Sequence, residues 1–180
     1  MKQKIQLMDA LGVERALTRL SFEIIEKSRD PENLVLIGIK TRGVPMAKIL
    51  ARKIKEHGGP DIPVCELDIT FYRDDLSRLS EMPTVKSADL GIDITGRDIV
   101  LVDDVLYTGR TIRAAIEAIF SNGRPAKISL AVLIDRGHRE LPIKPDYVGK
   151  NVPTSHKEVI KVMLEETDGS TCVGLYEIEE

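Results

Sequence analysis

An α/β fold, a mainly parallel sheet flanked by helices, is what the sequence predicts, and three observations carry it. Leu34–Ile39, Ile99–Val102 and Ile128–Ile134 are aliphatic and β-branched runs, the second unbroken and the others interrupted only by Gly38 and Ser129, as expected of parallel strands buried on both faces. The first two runs each lead into a short polar loop and then into a segment with helical apolar spacing. Strand, loop and helix repeated in that order build a parallel sheet with covering helices.

With 180 residues, 42% hydrophobic and 31% charged, and a formal net charge of −3, the chain has the size and balance of one soluble globular domain, expected to span residues 1–180. The N-terminus lacks the apolar centre of a signal peptide and no run reaches membrane-spanning length, so a cytoplasmic protein with no membrane partner is expected. Cys65 and Cys172 lie far apart with no Cys-x-x-Cys partner, which predicts free, buried thiols. The negative balance gives no global sign of nucleic-acid binding but leaves room for a local basic face.

Asp9 is placed to cap a first helix with an apolar stripe of Leu11, Leu17, Leu20, Ile24 and Ile25, ended by Asp30-Pro31. The Leu34–Ile39 strand delivers Lys40-Thr41-Arg42-Gly43 to the carboxyl edge of the sheet, where open α/β sheets bind ligands. A second helix follows, with Pro45 in its first turn and Gly58-Gly59 at its end. Val64–Tyr72 reads as another strand, and Arg73 to about Lys86 as a polar, aperiodic stretch too long for a simple connection. Near the C-terminus, Val159–Leu164 and Cys172–Ile178 around Thr167-Asp168-Gly169-Ser170 read as a β-hairpin. His57 and His156 have no partner pattern and read as structural.

The chemistry concentrates in Ile99–Ile112. Asp103 and Asp104 end a buried strand, and Thr108-Gly109-Arg110-Thr111 opens a helix carried by Ile112, Ala115, Ile116 and Ile119. Free N–H groups at that helix start, with the positive end of its dipole, suit a phosphate, and the threonine hydroxyls can add hydrogen bonds. Adjacent carboxylates beside an anion seat make sense if they grip ribose hydroxyls, Mg²⁺, or both.

The string from Val100 to Thr111 resembles the phosphoribosyl-pyrophosphate loop of the type I phosphoribosyltransferases, and further segments extend the resemblance over nearly the whole chain. It implies the type I phosphoribosyltransferase fold, with a mobile hood loop over residues 73–86 and the C-terminal β-hairpin. It implies that Lys40, Thr41, Arg42 and Gly43 contact pyrophosphate through a loop with a non-proline cis peptide, and that Tyr72, Arg73 and Asp74 belong to the hood. Asp103 and Asp104 would hold Mg²⁺ and orient the ribose, with Arg42 completing the catalytic set. Thr108, Gly109, Arg110 and Thr111 would seat the ribose phosphate, and Val105, Leu106 and Tyr107 would belong to the same substrate-binding loop. The Pro145-Asp-Tyr-Val-Gly-Lys-Asn151 string would place Val148 and Lys150 near the base.

Purine-using members carry an Asp immediately before Thr-Gly, where this chain has Tyr107, a departure that tells against hypoxanthine or guanine. The strings Asp103–Thr111, Asp135–Ile143 and Val148–Ser155 are similar to the bacterial pyrimidine-operon attenuation regulators, which also act as uracil phosphoribosyltransferases. That resemblance implies uracil and phosphoribosyl pyrophosphate as substrates, UMP or UTP as co-repressor in the same pocket, and pyrimidine operon leader RNA as partner. It also implies a homodimer or higher homo-oligomer. Thr18, Arg19, His138, Arg139, Lys144 and Lys150 are the candidate RNA contacts. A purine or orotate phosphoribosyltransferase without an RNA role, and a non-enzymatic nucleotide sensor, are the alternatives.

Overall fold

The computed structural model describes residues 2–69 and 89–178, so Tyr72, Arg73, Asp74 and the hood lie outside the described residues. Strand β1 (Lys2–Met8) leads into helix α1 (Ala10–Lys27), and a 3₁₀ turn at Pro31–Asn33 into β2 (Leu34–Ile39). Then come α2 (Gly43–Glu56), β3 (Val64–Leu67), β4 (Asp98–Leu106), α3 (Arg110–Asn122), β5 (Lys127–Asp135) and β6 (Tyr147–Asn151). Strand β7 (Glu158–Met163), the one-turn helix α4 (Glu165–Asp168) and β8 (Cys172–Glu177) complete the elements of the described residues.

The α/β fold predicted from the apolar runs is present. A five-stranded sheet in the order β3-β2-β4-β5-β6 is parallel throughout. Alternate residues of its central strands enter two separate cores. Leu34, Leu36, Val100 and Val102 pack with Leu17, Leu20 and Ile24 of α1 and Met46 and Leu50 of α2. Val35, Ile37, Ile99 and Leu101 pack on the other face with Ile112, Ala115 and Ile119 of α3. This two-sided burial is why the runs show no polar alternation. Each buried Leu or Ile stabilises the fold by about 1.5–3 kcal/mol relative to exposure.

Several boundaries differ from expectation for local reasons. Asp9 does cap α1, accepting the Gly12 N–H at 2.7 Å, but Leu11 leaves the apolar stripe and is 54% exposed. Helix α1 ends at Lys27, before Asp30-Pro31, where the Ser28 N–H turns back to the Ile25 carbonyl; the proline instead opens the 3₁₀ turn. Within the described residues, strand pairing of β3 stops at Leu67, where the neighbouring β2 ends at Ile39. Cys65 is buried as expected, whereas Cys172 is only half-buried, and both are free.

The C-terminal hairpin is present, with β7 and β8 antiparallel, but it belongs to a three-stranded sheet in the order β1-β8-β7. Strand β1 is an addition to the expected elements, because Lys2, Gln3, Lys4 and Gln6 mask its short apolar content. The hairpin connection is wider than a tight turn and contains α4, with Gly169 in the left-handed region at φ +71°. Through the Asp168–Arg42 ion pair, α4 meets the start of α2 at the carboxyl edge of the parallel sheet.

Candidate functional site

Strand β4 delivers two acids to the carboxyl edge of the sheet. Asp103 is buried and Asp104 half-buried. Asp103 Oδ1 accepts the Asp104 N–H at 2.9 Å, and Asp104 Oδ1 accepts the Val105 N–H at 2.8 Å. Burial pushes the Asp103 carboxyl well above the usual aspartate range, and the neighbouring Asp104 charge adds to the rise. Burial also raises Asp104, while its hydrogen bond with Asp103, the Val105 amide and the Arg42 charge pull it back. Two adjacent desolvated carboxylates are a hard-oxygen pair short of counter-charge, which fits Mg²⁺, an ion held through one or two carboxylates plus substrate phosphates. Among the described residues no cluster of three or more His, Cys, Asp or Glu could hold a metal by itself, so substrate oxygens and water would complete such a shell.

The turn after β4 follows from Gly109, whose φ of +94° favours a residue without Cβ. It lets the chain reverse into α3 close against Ile143, whose Cδ1 would lie only 3.3 Å from a Cβ at this position. Thr108 Oγ1 accepts the Arg110 N–H at 3.3 Å. From outside, the segment after β5 braces this loop: the Thr108 carbonyl accepts N–H groups of Glu140 and Leu141 at 2.9 and 3.3 Å. Arg139 Nη1 donates to the Tyr107 carbonyl at 2.8 Å, and Arg110 pairs with Glu140 at 2.6 Å.

Tyr107 lies under Arg136, whose guanidinium is 4.0 Å from the ring centre, and at 5.9 Å from the His138 ring. Arg136 is buried and donates to Thr154 Oγ1 and to the carbonyls of Ser155 and Glu158, tying Tyr107 to the β6–β7 connection. The sequence marks Arg136 only as a charged residue directly after a largely buried strand. His138 adopts φ +60°, its Nε2 bonds with the Thr154 carbonyl, and its ring lies 4.1 Å from that of His156.

The Lys40-Thr41-Arg42-Gly43 loop meets β4 at the same edge, and its Lys40–Thr41 peptide is cis. Lys40 Nζ lies 3.9 Å from Glu66, which also pairs with Lys48 at 3.3 Å. Arg42 is held at two points by Asp168 of α4, Nε to Oδ2 at 3.2 Å and Nη2 to Oδ1 at 2.7 Å. The sequence marks Asp168 only as a turn residue. Its carboxyl is held below the usual range by the Arg42 hydrogen bond and then by the Leu164 N–H. A depressed folded value contributes stability above the unfolded pKa, about 3.9, and that contribution is lost as pH falls through the folded value. Hydrogen exchange at the Leu164 amide is therefore expected to speed up in that acid window. In Asp168→Asn the acid-dependent step at this amide should vanish.

The remaining candidates fall into two groups. Val148 and Lys150 lie on β6, where Arg19 of α1 donates to the carbonyls of Val148 and Gly149, and Thr18 Oγ1 donates to the Glu14 carbonyl. Lys150 Nζ turns to the Leu7 carbonyl at 3.2 Å. His138, Arg139 and Lys144 lie on the brace after β5; Lys144 is exposed, whereas Arg139 is half-buried and also bonds Asp135 and the Ile143 carbonyl.

A family model described as the phosphoribosyl transferase domain matches residues 5–167. Bifunctional protein PyrR of Acetivibrio thermocellus is 58% identical over 180 residues, covering 100% of this chain and 98% of that protein. The chain belongs to the PyrR family of phosphoribosyl transferase domain proteins. Bifunctional protein PyrR of Oceanobacillus iheyensis is 55% identical over 179 residues, covering 98% of this chain and 99% of that one. Among solved structures, a hypoxanthine-guanine phosphoribosyltransferase from Bacillus anthracis superposes with a TM-score of 0.74 at 19% identity, covering 99% of this chain and 100% of that one. That likeness concerns the fold, which the PyrR family shares with the purine enzymes.

Proposed function

We propose that this protein transfers the 5-phosphoribosyl group from phosphoribosyl pyrophosphate to uracil, forming UMP and pyrophosphate, and that UMP or UTP in the same pocket promotes binding to pyrimidine operon leader RNA. Membership of the PyrR family supports the pairing of the two roles. The observation that carries the reading is a shared loop: the backbone proposed to seat the ribose phosphate accepts hydrogen bonds from Arg139, Glu140 and Leu141, on the segment proposed to meet RNA. A ligand ordering one side of these bonds alters the other, and the coupling must be reciprocal.

In the reaction, the amides at the start of α3 and the hydroxyls of Thr108 and Thr111 hold the 5-phosphate. Asp103 and Asp104 orient the ribose and favour positive charge growing on its anomeric carbon, so their work is electrostatic preorganisation. Asp103 and Asp104 would hold Mg²⁺, which would supply counter-charge to the pyrophosphate. Lys40 and Arg42, with Thr41 and Gly43, receive the leaving group. Tyr107 carries no carboxylate, so it cannot offer the one that the purine enzymes place at this position. Val148 and Lys150 border the base.

Thr18, Arg19, His138, Arg139, Lys144 and Lys150 form the candidate RNA face of a homo-oligomeric, cytoplasmic protein folded as one domain over residues 1–180. Among the described residues no helix is long and apolar enough to cross a membrane. The purified protein is expected to form UMP from uracil and phosphoribosyl pyrophosphate with Mg²⁺; a folded sample without turnover removes the enzymatic half. RNA affinity at fixed salt is expected to rise with UMP and to fall as salt increases. Equal affinity with and without UMP refutes the coupling.

A further inference from the structure

We propose that Asp168 is a positioning residue for the transfer reaction, holding Arg42 in the geometry that receives pyrophosphate. The proposal rests on the reading of Arg42 given above. Arg42 stands at the entrance to α2, within the field of Asp104 as well as beside Asp168. A guanidinium in the field of the half-buried Asp104 carboxylate is drawn toward it. Were it to pair with Asp104, it would occupy the seat of the ribose and the metal.

Asp168 opposes that collapse with a fixed two-point grip, one oxygen on Nε and one on Nη2. The grip is itself rigid. Asp168 Oδ2 also accepts the Leu164 N–H at 2.9 Å, and the Asp168 N–H donates to the Leu164 carbonyl at 2.7 Å. Leu164 is buried in the core beneath, anchored with Val162 and Val173 of the small sheet. An arginine has five N–H donors, and Asp168 takes only two, so donors remain for a phosphate while the carboxylate keeps its hold. The β1-β8-β7 sheet thereby acquires a part in the chemistry: the turn between β7 and β8 carries the carboxylate that sets an arginine of the pyrophosphate loop.

The test is a double-mutant cycle read by calorimetric binding of inorganic pyrophosphate with Mg²⁺, together with steady-state kinetics. Asp168→Asn is expected to weaken pyrophosphate binding about tenfold and to raise KM for phosphoribosyl pyrophosphate by a similar factor, leaving KM for uracil unchanged. In an Arg42→Ala background the same substitution should change pyrophosphate affinity less than about twofold, because the residue it positions is gone. Equal losses in both backgrounds, or no loss where Arg42 is intact, overturn the proposal.

Should Asp168→Asn fail to fold, the unaltered chain still decides through its ¹⁵N-labelled arginine spectrum. The Arg42 Nε–H signal is expected to stay slowly exchanging when Mg²⁺ and pyrophosphate are added; faster exchange means the grip is released and overturns the positioning role. Pyrophosphate binding with 42–168 coupling but no uracil turnover would reject the uracil reading and leave this one standing.

Discussion

Asp104→Asn is expected to lower kcat for UMP formation about 10²–10³-fold, the range typical of removing one preorganised electrostatic group at a reacting centre. The amide keeps the size of the carboxylate and can still accept the Val105 N–H that the native oxygen takes at 2.8 Å. What it loses is charge, needed opposite the growing positive ribose carbon. The same change should stabilise the fold measured without Mg²⁺, because burial raises both carboxyls and the Asp104 charge raises Asp103 further. A gain of about 0.5–2 kcal/mol in thermal or denaturant unfolding is the scale expected when a functional conflict is relieved. Loss of turnover together with loss of stability would mean that the aspartates serve the fold and not the reaction. UMP-dependent RNA binding by this variant should persist, since the bonds from Arg139, Glu140 and Leu141 to the phosphate loop do not involve Asp104.

The parts of this site legible in the sequence share one physical property: they are continuous along the chain. Strand β4, its two acids and the turn at Gly109 sit close together, so apolar pattern, charge and turn chemistry coincide in one stretch. Leu34–Ile39 and the loop after it are legible for the same reason, and β2 has the predicted bounds. The grip of Asp168 on Arg42 joins residues 126 positions apart, and no local pattern encodes it. Arg136 over Tyr107 is hidden in the same way, because its value lies in carbonyls of the β6–β7 connection and the first residue of β7 that only the folded chain presents. Strand β1 is illegible for a different reason: an edge strand with polar side chains owes its conformation to pairing with β8 and not to its own composition. Arg139, a candidate by charge and loop position, spends most of its donors on Asp135 and nearby carbonyls, a use that charge alone does not reveal.

Gly43→Ala should be the most damaging single methyl added anywhere in the site. A Cβ on Gly43 would lie 2.3 Å from the Val102 carbonyl oxygen and 3.4 Å from the Asp103 Cα. Those are backbone atoms of the central strand, paired on both sides with β2 and β5, so they have no rotamer through which to yield. The loop is also seated closely on β2, where a Cβ at Gly38 would lie only 2.5 Å from the Gly43 carbonyl oxygen. Either the start of α2 moves away from β4, or β4 shifts and takes Asp103 with it. Both displace Arg42 relative to the aspartates, and a misplacement of about 1 Å can cost about 10²-fold in rate. The expected result is a loss of turnover of that order and a destabilisation of about 1–3 kcal/mol, as for overpacking a filled core. Chemical denaturation and uracil turnover measured on one preparation check both. Near-native values of each would show that the two loops tolerate separation, and that the close seating of the pyrophosphate loop on β4 is not what aligns Arg42 with the acid pair.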